Sequence, residues 1–222
     1  MIIGKGLIAQ SLQYIDTESH LFFASGVSNS LEIRSSEFER EFLLLRNSIA
    51  QHPECRLIYF STLSINDQSK QTSHYVLHKL RLEEYIRTHT SSHLILRIGN
   101  IVGNGGNPNT LFNFLKTQIS QGNTFTLHQK ARRLLLDVDD VSKFLKAHDE
   151  HLNNETVNFA YPYYFDLKEI VQALENRMQK KAKYMETDEG DFYKVDFDKT
   201  ANNFFTGINA DKYLRILAEK YI

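Results

Sequence analysis

Met1-Ile2-Ile3-Gly4-Lys5-Gly6-Leu7-Ile8-Ala9 opens the chain: three apolar residues, two glycines one residue apart, and an apolar pair closing on a small side chain. Residues 1–3 read as a short strand and residues 7–14 as the helix that follows. In such a turn the first glycine permits the tight bend and the second lets backbone approach a phosphate. Ala9 lets helix and strand pack closely, and the helix N-terminus attracts the anion. Many strand–helix turns use two glycines and bind nothing; the position directly after a strand favours the nucleotide reading. Lys5 between the glycines excludes a GxxxxGK[ST] phosphate loop.

Working outward, strands and helices alternate. Residues 21–24 (Leu-Phe-Phe-Ala) read as a buried strand ended by Ser25-Gly26. Residues 35–49 place Phe38, Phe42, Leu45 and Ile49 at three- and four-residue steps, an amphipathic helix for which Ser35 or Ser36 is the expected cap. Strand 57–60 precedes helix 76–86, strand 94–98 precedes a Gly/Asn-rich loop over 99–110, and helix 111–119 follows. A short strand at 134–136 leads into a helix at 140–147. This alternation predicts parallel βαβ units, with ligands at the carboxyl ends of the strands. The last third differs: a strand at 157–160 and helices at 166–178 and 211–221 enclose a polar stretch with Asp188, Glu189, Gly190 and Asp191. The expected organisation is one Rossmann-like α/β domain over 1–222, with 157–222 contributing a small substrate-binding lobe.

The 222 residues carry a net charge of −1, so nothing global favours nucleic acid or an anionic membrane. Cys55 is the single cysteine, which excludes an intrachain disulfide and a cysteine-rich zinc site and makes the cytoplasm the expected compartment. No apolar run approaches the ~20 residues that cross a bilayer, and the strand at Met1 leaves no room for a signal peptide.

Tyr75 and Lys79 lie four residues apart in Thr72-Ser73-His74-Tyr75-Val76-Leu77-His78-Lys79, on one face of the predicted helix. A free tyrosine, with a pKa near ~10, is a poor base at neutral pH, and a nearby ammonium lowers that value. The pair can then exchange a proton with a substrate hydroxyl or carbonyl while hydride moves at the adjacent carbon. Thr62, just past strand 57–60, is placed to hydrogen-bond that oxygen. An ordinary helix with an exposed lysine and a packed tyrosine shows the same spacing; Ser61-Thr62 at the end of the preceding strand decides for chemistry. His74 and His78 are also four apart, but without an HExxH glutamate or a third ligand they read as helix-surface or substrate-side residues. Arg132-Arg133 suits either a substrate diphosphate or plain surface charge. Lys180-Lys181-Ala182-Lys183 follows a helix and reads as a partner for its C-terminal dipole or for solvent.

Taken in order, Gly4–Ala9, Phe23-Ala24-Ser25-Gly26-Val27-Ser28, Tyr59-Phe60-Ser61-Thr62, Tyr75-x-x-x-Lys79, Leu96-Arg97-Ile98-Gly99-Asn100-Ile101-Val102-Gly103 and Asp137-Val138-Asp139-Asp140-Val141 resemble the extended short-chain dehydrogenase/reductase family of nucleotide-sugar epimerases, dehydratases and reductases. Phe197-Asp198 through Tyr213-Leu214 looks like its closing segment. The resemblance implies Thr62, Tyr75 and Lys79 as catalytic residues. It implies Gly4, Lys5, Gly6, Leu7 and Ile8 at the cofactor diphosphate, and Ala24, Ser25, Gly26, Tyr75 and Lys79 along its nicotinamide half. It puts Asn100 and Arg133 at the substrate.

One departure stands out. Dinucleotide folds carry an acid at the end of the second strand, about 20 residues past the turn. Here that place is Phe23-Ala24-Ser25-Gly26, with no acid until Glu32. Residues 21–24 look like the family's fourth strand, so two strands and their helices are missing between Asp16 and His20. The sheet should begin with residues 1–3 as a short edge strand beside 21–24, and the wall over the adenine should be absent. The expected protein is a cytoplasmic NAD- or NADP-dependent oxidoreductase or epimerase of nucleotide-sugar and polysaccharide-precursor synthesis. It would bind cofactor weakly or as a homodimer, and would have no nucleic-acid or membrane partner. The alternative is a catalytically silent member that binds a nucleotide or partner protein.

Overall fold

Leu57-Ile58-Tyr59-Phe60 is apolar at both parities, as suits a strand covered on both faces. In the computed structural model, which describes residues 1–190 and 192–222, this run lies at the centre of the sheet; Asp191 lies outside the described residues. The chain begins β1 (Ile2–Ile3), α1 (Leu7–Ser11), β2 (His20–Phe23), α2 (Ser35–Gln51), β3 (Arg56–Thr62), α3 (His74–His89), β4 (His93–Ile98), β5 (Asn100–Val102) and α4 (Leu111–Gln121). It continues β6 (Thr124–His128), β7 (Arg132–Arg133), β8 (Leu135–Asp137), α5 (Val138–His148), β9 (Glu155–Phe159), β10 (Phe165–Asp166), α6 (Leu167–Met178), β11 (Lys183–Thr187), α7 (Lys199–Phe204) and α8 (Ala210–Tyr221).

Five strands form one parallel sheet in the order β1-β2-β3-β4-β9. Alternate residues point to opposite faces. Leu57 and Tyr59, with Leu21, Phe23 and Ile95, pack under Leu45 of α2 and Leu82 and Ile86 of α3. Ile58 and Phe60, with Phe22, Leu94 and Leu96, pack against Val141, Phe144 and Leu145 of α5. Each such fully buried side chain contributes about 1.5–3 kcal/mol, so the two layers hold the sheet from both sides.

β1 pairs with β2 in parallel, Ile2 opposite Phe22 and Ile3 opposite Phe23, the short edge expected from the missing strands. Among the described residues no helix is long and apolar enough to cross a membrane.

Several local expectations change. The helix after the glycine turn stops at Ser11 and continues as a 3-10 turn, Gln13–Ile15. The N-cap of α2 is Arg34 rather than either serine; the Glu32 carboxylate accepts from the Ile33 and Arg34 amides at 3.1 and 3.0 Å instead. β3 runs through Ser61 and Thr62, so Thr62 is in the strand rather than past it. The loop at 99–110 contains β5, which pairs with β8. The pairs β6–β11 (parallel) and β7–β10 (antiparallel) and helix α7 have no counterpart in the sequence reading. Lys183 begins β11, while Lys181 pairs with Glu175 and Lys180 donates to the Ser120 carbonyl.

The final helix is fastened by charge. Lys220 and Tyr221 of α8 donate to the Asp137 carboxylate, and Tyr213 donates to Asp140 at 2.9 Å. Burial and the neighbouring Asp137 raise the Asp140 carboxyl.

The glycine turn is set by contact. Gly4 has φ +136°, and a Cβ there would lie 2.3 Å from the Ala24 carbonyl oxygen. Gly4→Ala should therefore cost about 2–4 kcal/mol in urea unfolding, from positive-φ strain and overpacking together. A variant as stable as the parent would show that β1 can shift away from β2 freely.

Candidate active site

A cleft of about 800 Å³ runs along the carboxyl ends of β1–β4. Its lining includes Gly6 after β1, Ala24 to Gly26 after β2, Thr62 at the end of β3 and Asn100 after β4. The expected cofactor and substrate positions Lys5, Leu7, Ile8, Tyr75, Lys79 and Arg133 line the same cleft; Gly4 sits behind it, against Ala24. A Cβ at Gly6 would meet nothing within 4 Å, so the turn presents open backbone to a ligand. A dinucleotide diphosphate and ribose fit this surface, because small side chains and bare backbone are what close approach requires.

Tyr75 and Lys79 rise from the first turns of α3. That helix is docked by Glu83, fully buried, which accepts from Arg97 at 2.9 and 2.6 Å, from Ser61 at 2.7 Å and from Arg87 at 2.7 Å. Burial raises the Glu83 carboxyl, but these donors outweigh it and its pKa is lowered. Arg97 of β4 and Ser61 of β3 thus fix the register of α3 against the sheet, while Arg87, one turn along α3, fills the remaining lone pair from within the helix.

Lys79 is 2% exposed and its Nζ lies 5.7 Å from the centroid of the Tyr75 ring. Its ammonium donates to Glu41 Oε1 at 2.7 Å and to the Tyr59 hydroxyl at 3.2 Å. Glu41, from α2, is itself fully buried; its Oε2 accepts from the Val27 amide at 2.7 Å and lies 3.0 Å from His78 Nε2. Burial alone would raise this carboxyl. The Lys79 charge and the hydrogen bonds from His78, Lys79 and Val27 overrule it and hold the group at about 2, against 4.5 for an ordinary glutamate. A Cβ at Gly26 would come within 2.8 Å of the Lys79 Nζ and 3.0 Å of Glu41, so the glycine leaves room for the pair.

His78 is therefore not a helix-surface residue: it is buried between Glu41 and the Phe38 ring, 4.7 Å away. His74 is exposed. Among the described residues no cluster of three His, Cys, Asp or Glu side chains could hold a metal ion.

The Thr62 Oγ1 accepts from the Ser64 amide at 3.1 Å, which leaves its O–H to donate elsewhere. The Asn100 side-chain Nδ2 donates to the Leu134 carbonyl at 3.2 Å, as its backbone N–H does at 2.8 Å. Arg132 and Arg133 are half-buried in the cleft lining rather than plain surface charge. With Lys5, Lys70 and Lys79 they make five cations, and Asp67 is the one carboxylate among the described lining residues. Asp67 already accepts from the amide and hydroxyl of Ser69. Such a lining attracts an anion. Tyr164 and Tyr193 close the far side; burial pushes the Tyr193 phenol up to about 12.

Sequence reasoning missed Glu41 and Tyr59 as partners of Lys79, and left His78 as a helix-surface or substrate-side residue without its contact to Glu41. A signal was present: Glu41 falls within the stripe formed by Phe38, Leu45 and Ser48 on α2. A carboxylate on the buried face of an amphipathic helix needs a cation inside the protein.

No protein-family model and no curated protein matches the chain. Solved structures do. UDP-glucose 4-epimerase from Thermotoga maritima, with UDP-glucose, superposes at a TM-score of 0.72 with 16% identity, over 97% of this chain and 82% of that one. UDP-glucuronic acid 4-epimerase from Bacillus cereus, with NAD and a fluorinated UDP-sugar, gives 0.72 and 15%, over 96% and 77%. RMD from Pseudomonas aeruginosa, complexed with NADPH, gives 0.72 and 16%, over 98% and 87%. The fold is thus the Rossmann-like fold of the nucleotide-sugar epimerases, in a shorter version.

The Glu41 carboxyl carries a pH signature. A depressed carboxyl stabilises the fold fully above its unfolded value near 4.5, and this contribution is lost as pH falls toward about 2. Urea unfolding between those values should show the parent losing stability more steeply than Glu41→Gln, which does not titrate. Parallel pH dependences would mean that the carboxylate is not stabilised by its partners.

Proposed function

We propose that the protein is an NAD(P)-dependent oxidoreductase or epimerase acting on a nucleotide-linked sugar, in the making of sugar precursors. The observation that carries this reading is the single cleft that gathers Gly6, Thr62, Tyr75, Lys79, Asn100 and Arg133 at the carboxyl ends of parallel strands. The fold likeness to proteins solved with NAD, NADPH and UDP-sugars supports the same class.

In this reading the backbone from Gly4 to Ile8, with the Lys5 side chain, holds the cofactor diphosphate. Ala24, Ser25 and Gly26 lie along the nicotinamide-side ribose. When bound, the nicotinamide supplies or accepts hydride at the substrate carbon. Tyr75 gives or takes the proton of the oxygen on that carbon. Thr62 donates its O–H to the same oxygen and fixes its place. Lys79 offers an N–H to the ribose and balances negative charge beside Tyr75. Asn100 and Arg133 hold the substrate, Arg133 through the diphosphate. The segment beyond β9, within 157–222, covers the sugar.

Tyr75→Phe keeps the ring and removes the proton donor. Turnover of the true substrate should fall at least ~100-fold with little change in stability. An unchanged rate would remove Tyr75 from the mechanism.

The second reading, a binder without turnover, is favoured by one observation: among the described residues no strand lies outside β1, where the adenosine half of a dinucleotide would need a wall. Fewer buried contacts mean weaker binding. Calorimetric titration with NAD(H) and NADP(H) should give a Kd of about 100 µM or weaker for monomer, tightening only where a second copy supplies the wall. Submicromolar binding by a proven monomer would sink the missing-wall argument. No binding of either cofactor at any protein concentration would sink the enzymatic reading itself.

A further inference from the structure

Glu41 has no part in the chemistry just described, yet the lysine of the site is built onto it. An ammonium has three N–H donors. Lys79 spends one on Glu41 Oε1 and one on the Tyr59 hydroxyl, and the side chain still lines the cleft, so one donor is left for a ligand there. The other carboxylate oxygen of Glu41 accepts from the Val27 amide, at the end of the segment 24–26 that lines the same part of the cleft. The His78 ring fixes the carboxylate from the side, and Gly26 leaves the space in which carboxylate and ammonium meet.

We propose that Glu41 is the positioning residue of this site: it holds Lys79 charged and in place, with a single N–H for the bound ligand, and couples that lysine to the Ala24–Gly26 backbone on which the ligand lies. The groups facing Glu41 are Lys79 and His78 from α3, Tyr59 from β3 and the Val27 amide from the loop before α2. Of these Lys79 is the ammonium that donates directly to the carboxylate, at 2.7 Å, so loss of the Glu41 charge falls on it. A buried ammonium without its counter-charge favours the neutral, nucleophilic amine. The role in ligand binding rests on reading the cleft as a dinucleotide site; the effect on Lys79 itself does not.

Two measurements separate these. Reductive methylation of the full chain, followed residue by residue by mass spectrometry, reports on Lys79 with no ligand present. Glu41→Gln should label Lys79 about tenfold faster than the parent, because the amine loses its counter-charge, while exposed Lys70 labels at the same rate in both. Equal Lys79 labelling would overturn the proposal. Titration with NADH then tests the coupling. Glu41→Gln should weaken binding about tenfold in the parent and less than about twofold in a Lys79→Met background, because the effect passes through the lysine. An equal loss in both backgrounds would overturn the positioning role. If no protein in the series binds NADH, the dinucleotide reading fails, and the labelling arm alone decides for or against Glu41. If Glu41→Gln does not fold, the Glu41→Gln/Lys79→Met double variant decides instead. A folded double variant supports a pair whose ammonium cannot stay buried alone; an unfolded one overturns it.

Discussion

The buried carboxylate of Glu41 is the point at which four parts of the molecule meet. It is supplied by α2, it receives Lys79 and His78 from α3 and Tyr59 from β3, and it receives the Val27 amide from the chain leaving β2. A carboxylate taken out of water costs several kcal/mol unless its lone pairs are filled, so the four donors are conditions of each other's placement. Glu83 repeats the device one layer along, with Arg97, Arg87 and Ser61 as its donors. Glu41 ties α3 to α2, and Glu83, on α3 itself, ties it to β3 and β4. Between them they define where Tyr75 and Lys79 stand relative to the ends of the strands.

The cleft follows from this framework and from what the sheet lacks. Parallel strands deliver their chain ends to one side, and the segments that leave β1, β2, β3 and β4 put bare backbone and small side chains there. The turn at Gly4 presses against Ala24, so the first two loops share one wall. With β1 at the edge, the end of the cleft beside it has no further strand among the described residues. The lining cations include Arg132 and Arg133, on β7 paired with β10, as well as Lys5 in the turn.

The far end of the chain serves as a clasp. α8 lies against the start of α5 through Tyr213, Lys220 and Tyr221 on Asp137 and Asp140, and its apolar face joins Phe205 and Tyr161 in the main core. The Asp137–Val141 motif thus does structural duty here: it caps α5 and receives α8.

Much of this was legible in the sequence because it depends on neighbours along the chain. Runs such as Leu57–Phe60 and Leu94–Ile98 read as buried strands, and the three- and four-residue steps of Phe38, Phe42, Leu45 and Ile49 read as one helix face. The glycine turn after Met1–Ile3, the four-residue step from Tyr75 to Lys79, and the absence of an acid after Phe23 are likewise local facts, and from them came the α/β architecture, the edge position of β1 and the composition of the cleft. The partner of Lys79 was not legible. Tyr75 and Lys79 share a helix, but Glu41 lies thirty-eight residues away and Tyr59 twenty, and nothing local says which buried acid meets which buried base. The same holds for β6 and β11, five residues each, paired across a separation that no periodicity records. Periodicity tells a residue whether it faces inward; only the packed structure decides whom it faces, because desolvation makes each buried charge select its partner from the whole chain.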